Sequence, residues 1–166
     1  MRTLLVGAMA VETRPLLDRL GQRRRLAPDT HVGTLDGAPV AVLTCGVGPR
    51  KAYARTRAVL AVFPADRVVS IGTAGALVDH LGRGTIRAAT SLYSGGDHRV
   101  DLAALGGLEG ASVATVTRAV FDPERRALLA AAGPELVEME LSAVYDATRE
   151  MVPGASVHGI KVVSDA

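Results

Sequence analysis

Val137-Glu138-Met139-Glu140-Leu141 (VEMEL) is where the alternation of a strand gives way to the spacing of a helix. Val137, Met139 and Leu141 alternate with Glu138 and Glu140, the period of a half-buried strand. Val144, Ala147 and Met151 then recur at helical intervals. The switch puts two carboxylates at the carboxyl end of a strand feeding a helix, where open α/β sheets bind their ligands. Acidic residues at a helix N-terminus also serve the helix alone, by complementing its dipole. The surrounding chain has to decide between these readings.

Upstream, Thr3–Met9 reads as a buried strand, followed by an amphipathic helix from Val11 to Leu20 with Gly21 as its stop. Glu12 then falls in the first turn of that helix, as a dipole partner or as a carboxylate aimed into a cleft. His31–Leu35 and Pro39–Thr44 alternate and are joined through Asp36-Gly37, a hairpin turn signal. The glycine-rich Cys45–Ala52 (CGVGPRKA) opens a helix reaching Phe63. It fails as a dinucleotide fingerprint for want of the third glycine, and as a Walker loop for want of Gly-Lys-Ser/Thr. What remains is backbone N–H groups able to meet an anion or hydroxyl, or a plain tight turn.

Asp66–Leu77 is an apolar strand ending in Gly72, Thr73, Ala74 and Gly75, small residues that suit close approach of a ligand to backbone. Thr85–Leu92 and Ala111–Val116 read as further strands, with Tyr93–Asp101 a polar loop near the site. Asp122 is an expected N-cap, with Pro123 at the first helical position and Gly133 as the stop. A last strand, Val157–Val163, leads to Ser164-Asp165-Ala166.

The 166 residues suit a single domain, 1–166, with no Pro, Gly or Ser-rich linker dividing them. A hydrophobic share of 48% with 22% charged residues fits a globular protein, and 3% aromatics leave little for base stacking. The net charge of +2 is small, and Arg23–Arg25 reads as a solvated loop, so nucleic acid is not an expected partner. One cysteine, Cys45, makes no internal disulfide, and His31, His80, His98 and His158 lack paired metal-ligand spacing. A reducing, metal-free and cofactor-free setting follows. The apolar core at Leu4–Met9 is too short for a signal peptide and no run approaches a membrane span, so the expectation is a cytoplasmic protein without a membrane partner.

Five segments together resemble the nucleoside phosphorylase/nucleosidase family, and within it the 5′-methylthioadenosine/S-adenosylhomocysteine nucleosidases. They are Gly7–Glu12 (GAMAVE), Cys45–Ala52, Pro64–Leu77 (PADRVVSIGTAGAL), Val137–Val144 (VEMELSAV) and Lys161–Ala166 (KVVSDA), in family order across nearly the whole chain. The resemblance implies a three-layer α/β/α sandwich around a mixed central sheet, phosphorylase/hydrolase-like. It implies hydrolysis of the N-glycosidic bond of a 5′-substituted adenine nucleoside, with release of adenine. Glu12 would activate water, Asp165 would protonate the purine N7, and Glu140 would bind the ribose hydroxyls. Met139 would pack on the ribose, Val120 and Phe121 would contact the adenine, and Thr73, Ala74 and Gly75 would line the ribose and water side. Glu138 joins the substrate-binding set, Ser164 would help hold Asp165, and Lys161 falls where such nucleosidases usually carry an arginine near the water. A homodimer is implied, formed through the hairpin Val32–Thr44 and the helix after Gly48.

The chemistry asks for these residue types independently. Breaking an N-glycosidic bond leaves a cation-like sugar and an anionic base, so an acid must protonate the leaving purine while carboxylates stabilise the ribose. An ordinary Asp is ionised near neutrality, so an acid at Asp165 calls for desolvation or neighbouring negative charge, while Glu12 has to stay ionised. Three departures from the family stand beside the matches. The chain ends one residue after Asp165, where family members continue into a closing helix, so the fold is expected to be cut short at its C-terminus. Ala166 would then bring an α-carboxylate close to Asp165. The stretch between Leu92 and Phe121 is short and lacks a helix, and Lys161 cannot reproduce an arginine fork. A purine nucleoside phosphorylase, with Arg14 and Arg50 as phosphate ligands, a futalosine-type hydrolase and a non-catalytic truncated homologue remain alternatives.

Overall fold

In a computed structural model, residues 1–95, 98–103 and 105–165 are described. The order of elements is β1 (Thr3–Gly7), α1 (Ala10–Leu17), β2 (Gly21–Ala27), β3 (Thr30–Leu35), β4 (Ala38–Thr44), α2 (Pro49–Val62), β5 (Arg67–Ala76), β6 (Ile86–Tyr93), β7 (Arg99–Asp101), β8 (Gly110–Thr115), α3 (Pro123–Ala131), β9 (Leu136–Glu138), α4 (Leu141–Met151) and β10 (Ser156–Asp165). Gly96, Asp97 and Ala104 fall outside the described residues, and with them part of the expected polar loop. Ala166, expected to bring a carboxylate close to Asp165, also lies outside them.

The strands form one mixed sheet in the order β10-β6-β8-β9-β5-β1-β4-β3-β2, with β7 on β6. β1 lies parallel between β4 and β5, so Gly7, Thr44 and Ile71 stand side by side at the carboxyl ends. β10 runs parallel to β5, and β6 antiparallel to β10. β6 pairs with β8, β8 with β9, and β9 returns to the last residues of β5, Gly75 and Ala76. This half of the sheet therefore curls until it closes on itself. The flatter half ends in the hairpin, whose turn takes positive φ at both Asp36 (49°) and Gly37 (79°), the mirror-image turn that matches strand twist.

Alternation along β4 shows how the layers arise. Val40 and Val42 pack with Leu20, Leu16 and Leu17 on the α1 side. Ala41 and Leu43 face the opposite way, into a core with Ala52, Val59 and Leu60 of α2 and Ala143 and Val144 of α4. A separate core of Ala74, Leu92, Val113, Leu136, Leu141 and Val163 is assembled by strands of the curled half and the first residue of α4. The mixed central sheet with helices on its faces is the architecture the resemblance implies.

Several local expectations are corrected. Arg23–Arg25 is not a loop but the middle of β2, an exposed edge strand held to β3 by pairs such as Arg24 with Val32. The first helix ends at Leu17 rather than Leu20. The VEMEL strand stops at Glu138, so Met139 and Glu140 belong to the turn and Glu140 is the N-cap of α4. Part of the expected loop Tyr93–Asp101 is strand β7, on β6.

Candidate active site

The carboxyl ends of β1 and β5, the turn before α4 and the end of β10 surround a cavity of about 390 Å³. That is within the usual range of small-ligand pockets. Glu12, Thr73, Ala74, Gly75, Val120, Phe121, Glu138, Met139, Glu140, Ser164 and Asp165 all line it, so the structure brings together eleven of the twelve residues singled out from sequence. Lys161 is the exception: its side chain is 2% exposed and lies behind the wall, on Glu138.

Glu12 stands at the third position of α1, and its carboxylate is fixed by three backbone donors. Oε2 accepts from the N–H groups of Ala8 (2.8 Å) and Met9 (2.9 Å), and Oε1 from Thr73 N–H (3.1 Å). The dipole reading and the cleft reading are therefore both realised: Glu12 caps its own helix while facing the cavity. Gly72 makes this possible. A Cβ there would sit 2.7 Å from Glu12 Oε1, and Gly72 has φ of +153°. Gly75 similarly leaves room for Asp165, whose oxygens would lie 3.2 and 3.3 Å from an added Cβ. The run of small residues on β5 thus accommodates the cavity's own carboxylates.

Glu140 reaches across to the glycine-rich loop, where Gly48 N–H donates to Oε1 at 2.7 Å. The anion expected at that loop is thus a side chain of the same protein. Burial raises the Glu140 pKa from its ordinary 4.5, opposed by the Gly48 amide, with the charge of Glu138 adding to the rise. Glu138 itself is enclosed, with its side chain 1% exposed. It accepts from Lys161 Nζ at 2.8 Å, from the Thr115 hydroxyl, and from the N–H groups of Glu140 and Leu141.

Asp165 is placed differently from expectation. Its side chain is 46% exposed rather than desolvated, and its neighbour is a cation, with Arg126 Nη1 2.9 Å from Oδ2. Ser164 Oγ donates to Oδ1 at 2.8 Å, the holding role the resemblance implies for it. Arg126 also donates to the Ala76 carbonyl, tying α3 to the end of β5. Sequence reasoning missed Arg126 because its partner lies 39 residues away and nothing local marks it. Thr115 and Ser70, which complete the polar surroundings of Glu138 and Lys161, were missed for the same reason. Val47 and Val116 add apolar wall, and Phe121 stands 82% exposed at the rim.

A mixed, partly closed sheet with a carboxylate-rich pocket of small-ligand size at its strand ends defines an α/β protein. The chain belongs to the phosphorylase superfamily, whose family model matches residues 2–134. A 5′-methylthioadenosine/S-adenosylhomocysteine nucleosidase of Anoxybacillus flavithermus is 32% identical over 109 residues, covering 64% of this chain and 46% of that protein. The chain thus spans about half the length of the curated relatives it matches. Among solved structures, the Neisseria meningitidis 5′-methylthioadenosine/S-adenosylhomocysteine nucleosidase in complex with methylthio-immucillin-A superimposes with a TM-score of 0.89 at 21% identity, over 99% of this chain and 85% of that one. A Helicobacter pylori futalosine hydrolase mutant gives 0.86 at 19% identity, over 99% and 86%. These likenesses establish the shared fold.

Proposed function

We propose that the cavity is a purine nucleosidase site that hydrolyses the N-glycosidic bond of a 5′-substituted adenine nucleoside, of the methylthioadenosine or S-adenosylhomocysteine type, and releases adenine. The observation that carries this is the lining: Glu12, Glu138, Glu140 and Asp165 contribute four carboxylates, and no lysine or arginine is among the lining residues described. Glu138 and Asp165 are paired with Lys161 and Arg126, so the charge facing a ligand is that of Glu12 and Glu140, which disfavours a phosphate dianion and stabilises a sugar on which positive charge develops. Arg14 and Arg50, the candidate phosphate ligands, are not part of it.

In this reading Glu12, its plane fixed by three N–H donors, takes a proton from water as the water attacks the anomeric carbon. Glu140 accepts hydrogen bonds from the ribose hydroxyls through the oxygen that Gly48 leaves free. Met139 packs on the sugar and Val120 and Phe121 on the base. Asp165, whose carboxylate is paired with Arg126, first takes up a proton from solvent and then gives it to N7, so that adenine leaves neutral. Thr73, Ala74 and Gly75 form the floor on the water side.

The curated relatives named as nucleosidases favour this reading over phosphorolysis. A futalosine-type substrate would be cleaved by the same N-glycosidic hydrolysis. We further propose a cytoplasmic homodimer joined through the β3–β4 hairpin and α2, where Val62 is exposed. No helix among the described residues is long and apolar enough to cross a membrane. Incubation with methylthioadenosine in phosphate-free buffer tests the proposal: free adenine and free sugar are expected, and product formed only on adding phosphate overturns it.

A further inference from the structure

We infer that Glu138 and Lys161 form a positioning pair that sets Glu140 for the ribose hydroxyls, and that neither touches the substrate. This rests on the reading of Glu140 given above. The two glutamates of VEMEL differ in the acceptor capacity they have left. An ionised carboxylate offers about four lone-pair sites. At Glu138, Oε2 takes Lys161 Nζ (2.8 Å), Glu140 N–H (3.0 Å) and Leu141 N–H (3.0 Å), while Oε1 takes the Thr115 hydroxyl and Leu141 N–H at 3.1 Å. Nothing remains for a ligand, although Glu138 lies in the cavity wall. Among the described residues Glu140 accepts one hydrogen bond, from Gly48 N–H on Oε1, and it lines the cavity.

The four donors to Glu138 come from three parts of the fold. Lys161 belongs to β10 and is bonded in turn to Ser70 Oγ of β5 at 3.1 Å. Thr115 ends β8 and accepts from Ser142 N–H at 3.0 Å, in the first turn of α4. The remaining donors are the backbone N–H groups of Glu140 and of Leu141, the residue that opens α4. Glu138 is therefore the pin through which three strands fix the entry of α4, and Glu140 is the residue whose backbone that pin holds. With side chains 2% and 1% exposed, Lys161 and Glu138 are fully desolvated, so removing the cation leaves a buried carboxylate without its counter-charge. The carboxylate then has to move or take up a proton, and its grip on the Glu140 N–H changes with it.

Lys161 thus stands where a direct contact is implied by resemblance but acts one step removed, through Glu138. A direct-contact role and a positioning role predict different substrate dependences. Only the positioning role makes the penalty of a Lys161 substitution depend on the ribose hydroxyls.

The test compares kcat/KM for 5′-methylthioadenosine and its 2′-deoxy counterpart in the wild type, Lys161→Met, Lys161→Arg and Thr115→Val. The wild type is expected to gain roughly ten- to a hundredfold from the hydroxyl, the worth of a charged hydrogen bond. In Lys161→Met the ribonucleoside should lose at least tenfold more than the deoxynucleoside, and Lys161→Arg should restore most of the difference. Thr115→Val, which removes one hydroxyl, should shift the ratio in the same direction by a smaller factor, and it carries the test if Lys161→Met does not fold. Parallel loss on both substrates, or an unchanged ratio in the folded variants, overturns the inference while leaving the proposed reaction intact. If the wild type cleaves neither nucleoside, the proposed reaction fails instead, and calorimetric affinities for adenosine and 2′-deoxyadenosine then decide the pair by the same ratio. A wild type indifferent to the hydroxyl overturns it as well.

Discussion

Arg126 on α3 and Asp165 at the end of β10 meet at 2.9 Å, and the same guanidinium reaches the Ala76 carbonyl. The contact gives α3 its hold on the sheet, because none of that helix's residues is buried. It also fixes the carboxyl assigned to N7, jointly with the Ser164 hydroxyl on the other oxygen.

Arg126→Ala should therefore misplace the acid without touching the base. Errors of about an ångström cost on the order of a hundredfold in rate, and a loss of roughly ten- to a hundredfold on methylthioadenosine is expected. A 4-nitrophenyl riboside, whose leaving group departs without a proton, should be cleaved at the wild-type rate by Arg126→Ala and by Asp165→Asn alike. Equal losses on both substrates would show that the contact matters only for folding.

Gly72→Ala tests the placement of Glu12. The added methyl would lie 2.7 Å from Oε1, too close to be tolerated, so the carboxylate must swing off Thr73 N–H. Turnover should fall on the order of a hundredfold, while affinity for adenine, which is contacted elsewhere, stays within about twofold by calorimetry.

Glu140 links stability to function with opposite signs. Burial raises its folded-state pKa from 4.5, the Gly48 amide opposing and Glu138 assisting. A raised carboxyl favours the fold fully below its unfolded value, and that contribution is lost as pH rises through the folded value. At about pH 7 the ionised side chain thus works against the fold. Glu140→Gln keeps an acceptor for Gly48, so its thermal midpoint at neutral pH should equal or exceed the wild type's, with the advantage shrinking toward about pH 5. Its kcat/KM should fall by roughly 1.5–3 kcal/mol in transition-state terms, the worth of the charged hydrogen bonds lost. A midpoint lower than wild type at neutral pH would contradict the burial argument.

Cys45 offers a probe of the same core. It is fully buried, and burial, followed by the charge of Glu140, pushes its thiol up to about 12. Iodoacetamide should label it only on unfolding, so labelling rates report opening of the core between β4 and α2. Rapid labelling of the native protein near neutral pH would contradict that burial.

What could be read from sequence was local. Val144 and Ala147 at helical spacing are buried on α4, Asp36-Gly37 forms the turn its chemistry demands, and Asp122 caps α3 through Arg125 N–H. Strict alternation would have put Glu138 and Glu140 on one face, in one role. β9 ends at Glu138, so the two part, one enclosed by donors and the other turned to Gly48. That division depends on Lys161, Thr115 and Ser70, which no local pattern ties to VEMEL. The edge strand at Arg23–Arg25 was hidden likewise, because its charged residues hold their place by pairing with β3 rather than by burial. The closing of β5 on β9 and β10 comes from long-range pairing.

The most direct test of the central claim follows the oxygen. Methylthioadenosine would be turned over in ¹⁸O-enriched water containing phosphate, and the sugar product analysed by mass spectrometry. The carboxylate-lined cavity predicts free adenine, a sugar with one ¹⁸O at its anomeric carbon and no sugar phosphate, with the rate abolished in Glu12→Gln. Sugar 1-phosphate as the product, or wild-type turnover in folded Glu12→Gln, would contradict the account.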